Sequence, residues 1–579
     1  ITRGTSSAPA TIAHISLLLH KCLKSRCEYS IVMYVKKEFF MIAEQDTVQD
    51  NVLERADDIM DKAIETAGEL LGEKPDVAEI VLKQLLKCDP EHLAGLQLLG
   101  LCKHRMGQNA EAVEIFQTVI ELDPTSADNH NNIGLAYAGL DNQDRAIENM
   151  NKAIELNSEQ FLFLNNIALQ YRNKGDRKTA VEKLETAIKI KEIPQMYLNL
   201  GGIYGELHDL ENAKRCFDRA VELDPNYSAA HVDLAMINHL EGNFVDGCKE
   251  YEWRFEYYPQ MGHYLRQYDQ AKRWNGEDSL DGKRFLIYCE QGLGDGLQFI
   301  RYARELKSLG AYVIVHCAPT LKELLERHEF VDETVQRDIV YHKGNEFPEY
   351  DYQCAIMSLP HLLKIQKPTG ETYLSPATTD FKNYLSDDYG ETFNIGIIWA
   401  GSPAHPHDKQ RSIPLKNFQS LHDTENVKLF SLQLEAGKRN YGTVAYPTES
   451  PERLSSFQAE KDIVDYCEGC DSMGLVDLTP MIQSFEDTAT ILAGLDLVIC
   501  CDTATVHLAG AMGTPCWVAL PYNPDWRWKK SGDTTEWYDS VRLFRQSERE
   551  NWTGAFAKIK EALDEKLLSW MWDDAKKGK

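Results

Sequence analysis

The first half of the chain carries apolar residues at helical spacing, and this pattern repeats with a fixed period. A large apolar residue followed by a small one recurs every 33 or 34 residues, and a second small residue stands 12 positions after each pair. The small residues are Gly100, Gly134, Ala168, Gly201 and Ala235, followed by Ala112, Ala146, Ala180, Ala213 and Gly247. Small side chains let two helices approach closely, and proline, as at Pro124 and Pro225, ends the second helix. The spacing predicts a stack of helix pairs that bury their apolar faces only against one another.

After about residue 258 the pattern changes to short apolar runs that alternate with helical segments. The runs span 285–289, 312–317, 352–357, 394–399, 428–434, 495–501 and 516–520. Such alternation predicts parallel sheets with crossover helices. The runs form two sets separated near 385–393, which predicts two Rossmann-like lobes that bind ligand at the carboxyl ends of their strands.

Composition narrows the classes of partner and site. The chain has 62 basic and 90 acidic residues, a net charge of −28, which argues against nucleic acid or an anionic membrane as partner. No apolar run reaches the roughly 18–20 residues of a membrane span. Cys467 and Cys470 form a lone CxxC without nearby histidines, so we predict no metal site and reduced, structural cysteines, as in a cytoplasmic protein.

One residue type recurs at a single position of the repeat. Asn132, Asn166 and Asn199 each stand just before an apolar–small pair. A row of amides offers donors and acceptors to the backbone of an extended peptide in a groove. The alternative is that these side chains bond only within the fold.

The first candidate site segment, 290–296, follows the run 285–289. Its glycines permit a tight turn into a helix expected from about Leu297, with Asp295 beside the helix start. A carboxylate there can act as general base toward a hydroxyl. The alternative is an Asp that only caps a strand–helix turn.

The second segment, 399–412, opens the second lobe. Gly401 and Ser402 form a turn, and Lys409 and Arg411 can hold a pyrophosphate through charge-assisted hydrogen bonds. The alternative is a solvated loop. The polar stretch 435–470 is predicted to be a lid or a surface insertion.

The third segment follows the run 495–501. Asp502, Thr503 and Ala504 start a helix that carries His507. Free backbone amides at a helix start bind phosphate. The alternative is an ordinary helix capped by Asp502 or Thr503.

Four motifs together carry a family resemblance. They are EQGLGDGLQFIRY (290–302), IIWAGSPAHPHDKQRSIPL (397–415), the segment 477–518 and LPYNPDWRW (520–528). With the helix pairs, which have the tetratricopeptide-repeat (TPR) pattern, the chain resembles TPR proteins with a heptosyltransferase-like (family nine) glycosyltransferase domain. It is more distantly similar to O-GlcNAc transferases, whose repeats carry a similar Asn series.

The resemblance implies a GT-B fold and an inverting, metal-independent glycosyltransferase of hexosyl or heptosyl type without a cofactor. Asp295 matches the base of that family, and Lys409 or Arg411 its phosphate-binding residue. Asp502, Thr503, Ala504 and His507 match the donor-binding segment, with Ala504 where the family usually has glycine. The last helix, about 553–572, is expected to return to the first lobe through Trp570 and Trp572, unless these are surface residues.

The predicted fold class is α + α/β, a TPR solenoid followed by a GT-B domain of two lobes. We divide the chain into a disordered or non-native segment 1–50, a solenoid 51–258, an acceptor lobe 259–390 and a nucleotide-sugar lobe 391–579. The predicted function is transfer of sugar from a nucleoside-diphosphate sugar to an acceptor hydroxyl, with a protein or peptide acceptor held in the TPR groove. The alternatives are a TPR scaffold with an inactive transferase domain, and a glycan-building enzyme whose repeats only mediate assembly.

Overall fold

The computed structural model describes residues 49–259, 261–336, 348–389, 391–402, 405, 408–434 and 474–577. Most of the predicted N-terminal segment, the stretch 435–470 and the Cys467–Cys470 pair lie outside the described residues. The chain divides into two compact units, Ile1–Asp224 and Pro225–Lys579.

The described part of the first unit consists of helices joined by short turns. They are Gln49–Leu70, Pro75–Cys88, Leu93–Arg105, Asn109–Leu122, Ala127–Gly139, Gln143–Leu156, Phe161–Lys174, Arg177–Ile190, Pro194–Glu206 and Leu210–Leu223. Consecutive helices pack against each other along the whole series. The predicted stack of helix pairs is therefore confirmed.

The small residues of the repeat allow this close packing. A methyl group added at Gly100 would lie 2.6 Å from the ring of Phe116, and one at Gly201 would lie 2.5 Å from the ring of Phe217. The aromatic side chain of one helix thus fills the space above a glycine of the preceding helix.

The second unit begins with one more helix pair, Ser228–Glu241 and Phe244–Glu250. The predicted solenoid ended at 258, whereas the structure groups this pair with the sheets. Aromatic packing explains the difference: the ring of His239 stacks 4.3 Å from that of Trp526, and Phe244 meets Trp537 edge-on at 5.7 Å.

Four strands form the first sheet of this unit. They are β1 (Arg284–Tyr288), β2 (Tyr312–Cys317), β3 (Glu333–Gln336) and β4 (Tyr352–Ala355). Their order is β3-β2-β1-β4, with every pairing parallel. The helices around this sheet include Leu293–Phe299, Ala303–Ser308, Pro319–Glu326 and Leu359–Leu362.

Six strands form the second sheet. They are β5 (Phe393–Ile398), β6 (Val427–Ser431), β7 (Val476–Asp477), β8 (Leu497–Cys500), β9 (Cys516–Leu520) and β10 (Val541–Arg545). Their order is β10-β9-β8-β5-β6-β7, again parallel throughout. The accompanying helices include Phe381–Tyr389, Asp408–Arg411, Gln419–His422, Phe485–Gly494, Ala504–Met512 and Thr553–Lys577. The prediction of two parallel sheets is confirmed, although β3, β7 and β10 were not predicted.

The last helix, Thr553–Lys577, packs on the second sheet through its described side chains. The ring of Phe556 lies 4.9 Å from that of Phe418, and the ring of Trp570 lies 5.8 Å from that of Phe393. The side chain of Trp572 is 68% exposed. The expected return to the first lobe is therefore wrong, because the apolar face of this helix is buried against the second sheet.

Among the described residues, the structure contains no helix of the length and apolar character that crossing a membrane requires.

Candidate functional site

The first and third candidate segments meet between the two sheets. The helix Leu293–Phe299 follows β1 and packs against the helix Ala504–Met512, which follows β8. A methyl group at Gly294 would lie 2.9 Å from Cδ2 of His507 and 3.4 Å from Cα of Ala504. Glycine at this position lets the helices that follow β1 and β8 pack closely.

Asp295 lies in the first turn of its helix and has two kinds of partner. Its Oδ2 accepts a hydrogen bond of 2.8 Å from the amide of Gly292, so the helix begins at Leu293 and not near Leu297 as predicted. Its Oδ1 accepts from the guanidinium of Arg527. Burial raises the pKa of Asp295 above its usual value, and the positive charge of Arg527 opposes this shift. The capping role is observed, and it uses only one of the two oxygens.

Arg527 connects the two sheets through its guanidinium. Besides Asp295, its Nε donates to Oε1 of Gln298 at 2.7 Å and its Nη1 donates to Oδ1 of Asp525 at 2.9 Å. The guanidinium also lies 4.3 Å from the ring centre of Trp526. Sequence reasoning did not name Arg527 as a site residue, and its only signal was the DWRW motif.

The start of the helix Ala504–Met512 carries an unused hydroxyl. Thr503 is the N-cap residue, and its side chain makes no capping hydrogen bond. Its Oγ1 is buried and has no partner among the described residues. The pKa of the neighbouring Asp502 is raised to about 6, mainly by burial and further by the charge of Asp525.

His507 is a buried histidine with a defined orientation. Its Nδ1 lies 3.0 Å from the hydroxyl of Tyr538, and its ring stacks on that of Trp528 with an interplanar angle of 13°. Burial, reinforced by the charge of Arg527, keeps the pKa of His507 well below its usual value. The imidazole is therefore neutral at physiological pH.

The second segment contributes Arg411 to this region. Its Nη1 donates to the carbonyl oxygen of Asp502 at 2.9 Å, and its guanidinium lies against Gly401, where an added methyl group would overlap with Nη2. Lys409 is exposed, and Ser402 is half-buried. Of the two predicted basic residues, only Arg411 contacts the third segment.

A buried glutamine fixes the loop after β5. Oε1 of Gln433 accepts from the amides of Trp399 and Ala400 at 3.1 and 2.8 Å. Sequence reasoning missed Gln433, because nothing in the pattern after β6 distinguishes it from other polar residues.

In the first unit, two asparagines of the row bond to the asparagine that precedes the row position in the previous repeat, and together these side chains form an asparagine ladder. Nδ2 of Asn166 donates to Oδ1 of Asn131 at 3.0 Å, and Nδ2 of Asn199 donates to Oδ1 of Asn165 at 2.7 Å. The amide of Asn132 lies next to that of Asn131 in the same ladder. The second interpretation of the row, bonding within the fold, is thus observed for one N–H of Asn166 and one of Asn199.

Within the described ranges, no group of three or more His, Cys, Asp or Glu side chains is arranged to hold a metal ion.

Comparison with known families identifies the repeats. Models of the tetratricopeptide repeat match residues 100–141, 127–160 and 194–227. Residues 100–160 and 194–227 are tetratricopeptide repeats. The TPR segments make the first unit a module for protein interaction.

The chain is also similar to Protein FlbA of Caulobacter vibrioides, at 27% identity over 391 residues. The match covers 63% of this chain and 59% of FlbA, so the chain spans less than two thirds of that relative. The matched 63% of the chain is longer than the first unit, Ile1–Asp224. The match therefore extends beyond the TPR unit into the second unit.

Two solved structures are similar to part of the chain. A thermophilic TPR protein of Thermus thermophilus is 19% identical, with a TM-score of 0.29 over 31% of this chain and 98% of its own. PilF of Pseudomonas aeruginosa is 14% identical, with a TM-score of 0.31 over 37% of this chain and 99% of its own.

Proposed function

We propose that the second unit is a GT-B glycosyltransferase that moves a sugar from a nucleoside-diphosphate sugar to an acceptor hydroxyl. The TPR unit would recruit the acceptor, a protein or peptide. The proposal rests on the resemblance of four sequence motifs and on one feature of the fold.

That feature is the meeting of Asp295 and the Thr503 helix start at the carboxyl ends of two parallel sheets. Open α/β sheets bind ligands at these ends. A carboxylate from one sheet and a helix N-terminus from the other supply a base and a phosphate site within one region. The buried, unpartnered hydroxyl of Thr503 adds a donor at the helix start.

The reaction needs one proton acceptor and a means of offsetting charge on the leaving group. Asp295 takes the proton of the acceptor hydroxyl, whose oxygen bonds to the anomeric carbon while the bond from that carbon to the diphosphate oxygen breaks. The nucleoside diphosphate leaves with the bonding electron pair. Backbone amides at Thr503 and Ala504, together with the guanidinium of Arg411, offset the negative charge of the leaving diphosphate.

The acceptor side of the proposal rests on the TPR groove. The asparagine ladder uses one N–H of Asn166 and one of Asn199 internally. Each primary amide has a second N–H. The remaining donors of the row are the groups that would bind the backbone of an extended peptide.

One observation favours the alternative, a TPR scaffold whose transferase domain is inactive. In this structure the carboxylate of Asp295 is bound by Arg527 and by the amide of Gly292, so both oxygens are engaged. A scaffold needs no free base, whereas an enzyme must release one of these contacts during turnover.

Calorimetry and thermal shift of the full chain with UDP, ADP, GDP and their sugars test the proposal. We expect saturable binding of one nucleotide, weakened about 10-fold by Arg411→Gln and about 2-fold to 10-fold by Thr503→Val. Lys409→Gln, at an exposed lysine, is the matched comparison for Arg411, and Thr424→Val, at a half-buried threonine, is the comparison for Thr503. Folded protein that binds none of these compounds would leave the scaffold as the better interpretation.

Turnover separates an enzyme from a nucleotide-binding scaffold. With the donor identified, transfer to peptide or water is followed by release of the nucleoside diphosphate. Asp295→Asn is expected to lower this rate about 100-fold or more, because the general base is lost. Binding without measurable turnover in the wild type would support the scaffold.

A further inference from the structure

The guanidinium of Arg527 has three side-chain hydrogen-bond partners, and one of them is Asp295, the proposed base. The guanidinium binds Asp295 of the first sheet, Asp525 of its own loop and the amide of Gln298. Its side chain is only 10% exposed, and that of Asp295 is 16% exposed. The pair is thus shielded from bulk water. An ion pair is stronger in such a shielded position than in water, because the local dielectric constant is lower.

Two of these contacts hold the guanidinium in place without Asp295. Nε is bound by Gln298 and Nη1 by Asp525, and the face of the group rests on the ring of Trp526. Only Nη2 is directed at the base. Exchange of the partner of Nη2 therefore requires no large movement of the arginine.

The same guanidinium is close enough to the third segment to act on it electrostatically. Trp528, the residue after Arg527, stacks on the ring of His507 in the Thr503 helix. The charge of Arg527 opposes the burial that raises the pKa of Asp502, and it adds to the burial that lowers the pKa of His507. Arg527 thus contacts the proposed base directly, and the residue after it packs on the helix of the proposed diphosphate site.

We propose that Arg527 is a shared residue whose Nη2 is held by Asp295 before the donor binds and is transferred to the diphosphate of the donor when it binds. Donor binding then releases Oδ1 of Asp295 and makes this carboxylate available to the acceptor hydroxyl. The base is inactive until the donor is present, which limits proton abstraction to the complete complex. This inference rests on the proposed function.

The electrostatics agree with this sequence of events. Burial raises the pKa of Asp295, and Arg527 is the main charge that counteracts the shift. Once Nη2 binds a diphosphate oxygen, that counteracting contribution falls, because the anion neutralises the guanidinium. The carboxylate becomes a stronger base in the same step.

Competition for one arginine predicts opposite effects of two substitutions. Arg527→Gln removes the charged donor and is expected to weaken binding of the diphosphate about 10-fold to 100-fold. Asp295→Asn removes the competitor and is expected to strengthen binding about 3-fold or more, because two ligands of one group are thermodynamically coupled. Loss of folding cannot produce the second effect.

The experiment is isothermal calorimetry of the full chain with UDP, ADP, GDP and inorganic pyrophosphate as probes. The experiment is a double-mutant cycle of four proteins: the wild type, Arg527→Gln, Asp295→Asn and the double variant. Arg527→Lys tests whether a retained positive charge rescues binding. In the double variant the gain from Asp295→Asn should disappear. Arg542 and Asp533, an exposed pair 3.5 Å apart, provide the matched controls Arg542→Gln and Asp533→Asn, which should leave affinity unchanged.

The outcomes separate this inference from the proposed function. Two results would contradict the exchange while leaving the donor site in place, provided that the wild type binds a probe. In the first, Asp295→Asn fails to strengthen binding. In the second, Asp295→Asn strengthens binding equally in the presence and in the absence of Arg527. The second of these results would indicate simple repulsion between the carboxylate and the anion. If the wild type binds no probe, both proposals fall.

Discussion

The guanidinium of Arg254 lies 2.9 Å from the carboxylate of Glu290, and both side chains are fully buried. Arg254 belongs to the helical segment before the first sheet, whereas Glu290 follows β1 and precedes the Asp295 loop. The carboxylate also accepts from the amide of Ile356 at 2.9 Å, and the guanidinium bonds Ser358 at 2.8 Å. The pair fixes the position of the loop that carries Asp295.

Arg254→Met should therefore be strongly destabilising. It leaves Glu290 buried without its counter-charge, which costs about 3–5 kcal/mol in unfolding free energy. Urea denaturation measures this loss, and adding Glu290→Gln should recover part of it. The surface pair of Arg284 and Glu333, 2.8 Å apart, is the control, because Arg284→Met is expected to cost under about 1 kcal/mol. Equal losses from the two arginines would contradict the prediction.

Gly294→Ala should damage the site by separating two helices. The added methyl group meets the ring of His507 and the backbone of Ala504, and overpacking of this kind costs about 1–3 kcal/mol. We expect a lower melting temperature and weaker nucleotide binding. Gly296→Ala in the same helix is the control, since its methyl group meets the tip of Leu321 at 3.1 Å and otherwise makes ordinary contacts with Cys289 at 3.7–3.8 Å. Unchanged nucleotide affinity in Gly294→Ala would show that the contact does not position the site.

The asparagine ladder predicts unequal effects of two similar substitutions. Asn166→Ala leaves Oδ1 of the buried Asn131 without its donor from the next repeat, a loss of about 1–3 kcal/mol. Asn132→Ala removes only a long contact of 3.5 Å and should cost less than about 1 kcal/mol. Chemical denaturation followed by circular dichroism makes the comparison. Equal costs would mean that the bond between repeats does not stabilise the unit.

His239 predicts a loss of stability in mild acid. Its ring is buried against Trp526, and burial lowers its pKa to about 3. Because the folded pKa lies below the unfolded value of about 6.5, the unfolded chain binds the extra proton, and stability falls as the pH drops below about 6.5. At pH 5 this contribution amounts to about 2 kcal/mol.

The matched variant for this effect is His239→Phe, which keeps a ring beside Trp526 and cannot be protonated. The difference in unfolding free energy between wild type and variant should change by about 2 kcal/mol in favour of the variant between pH 8 and pH 5. A difference that does not depend on pH would show that His239 is not buried in its neutral form.

The sequence alone determined the helix pairs of the first unit and seven of the ten strands among the described residues of the second. The period of the small residues defines the helix pairs, because each pair needs a glycine or alanine where its helices cross, as Gly100 meets Phe116. The apolar runs predict β2 and β9 to the residue, since a buried parallel strand is apolar on both faces. These features follow from contacts within one repeat or one strand.

Tertiary structure alone decided the contacts that join distant segments. Asp295 and Arg527 are 232 positions apart, and no local pattern indicates that they pair. The same holds for the last helix, whose apolar face fits the second sheet, and for the pair Ser228–Glu241 and Phe244–Glu250, which packs on Trp526 and Trp537. Propensity and periodicity act over a few residues, whereas ion pairs and packing depend on which surfaces the completed fold brings together.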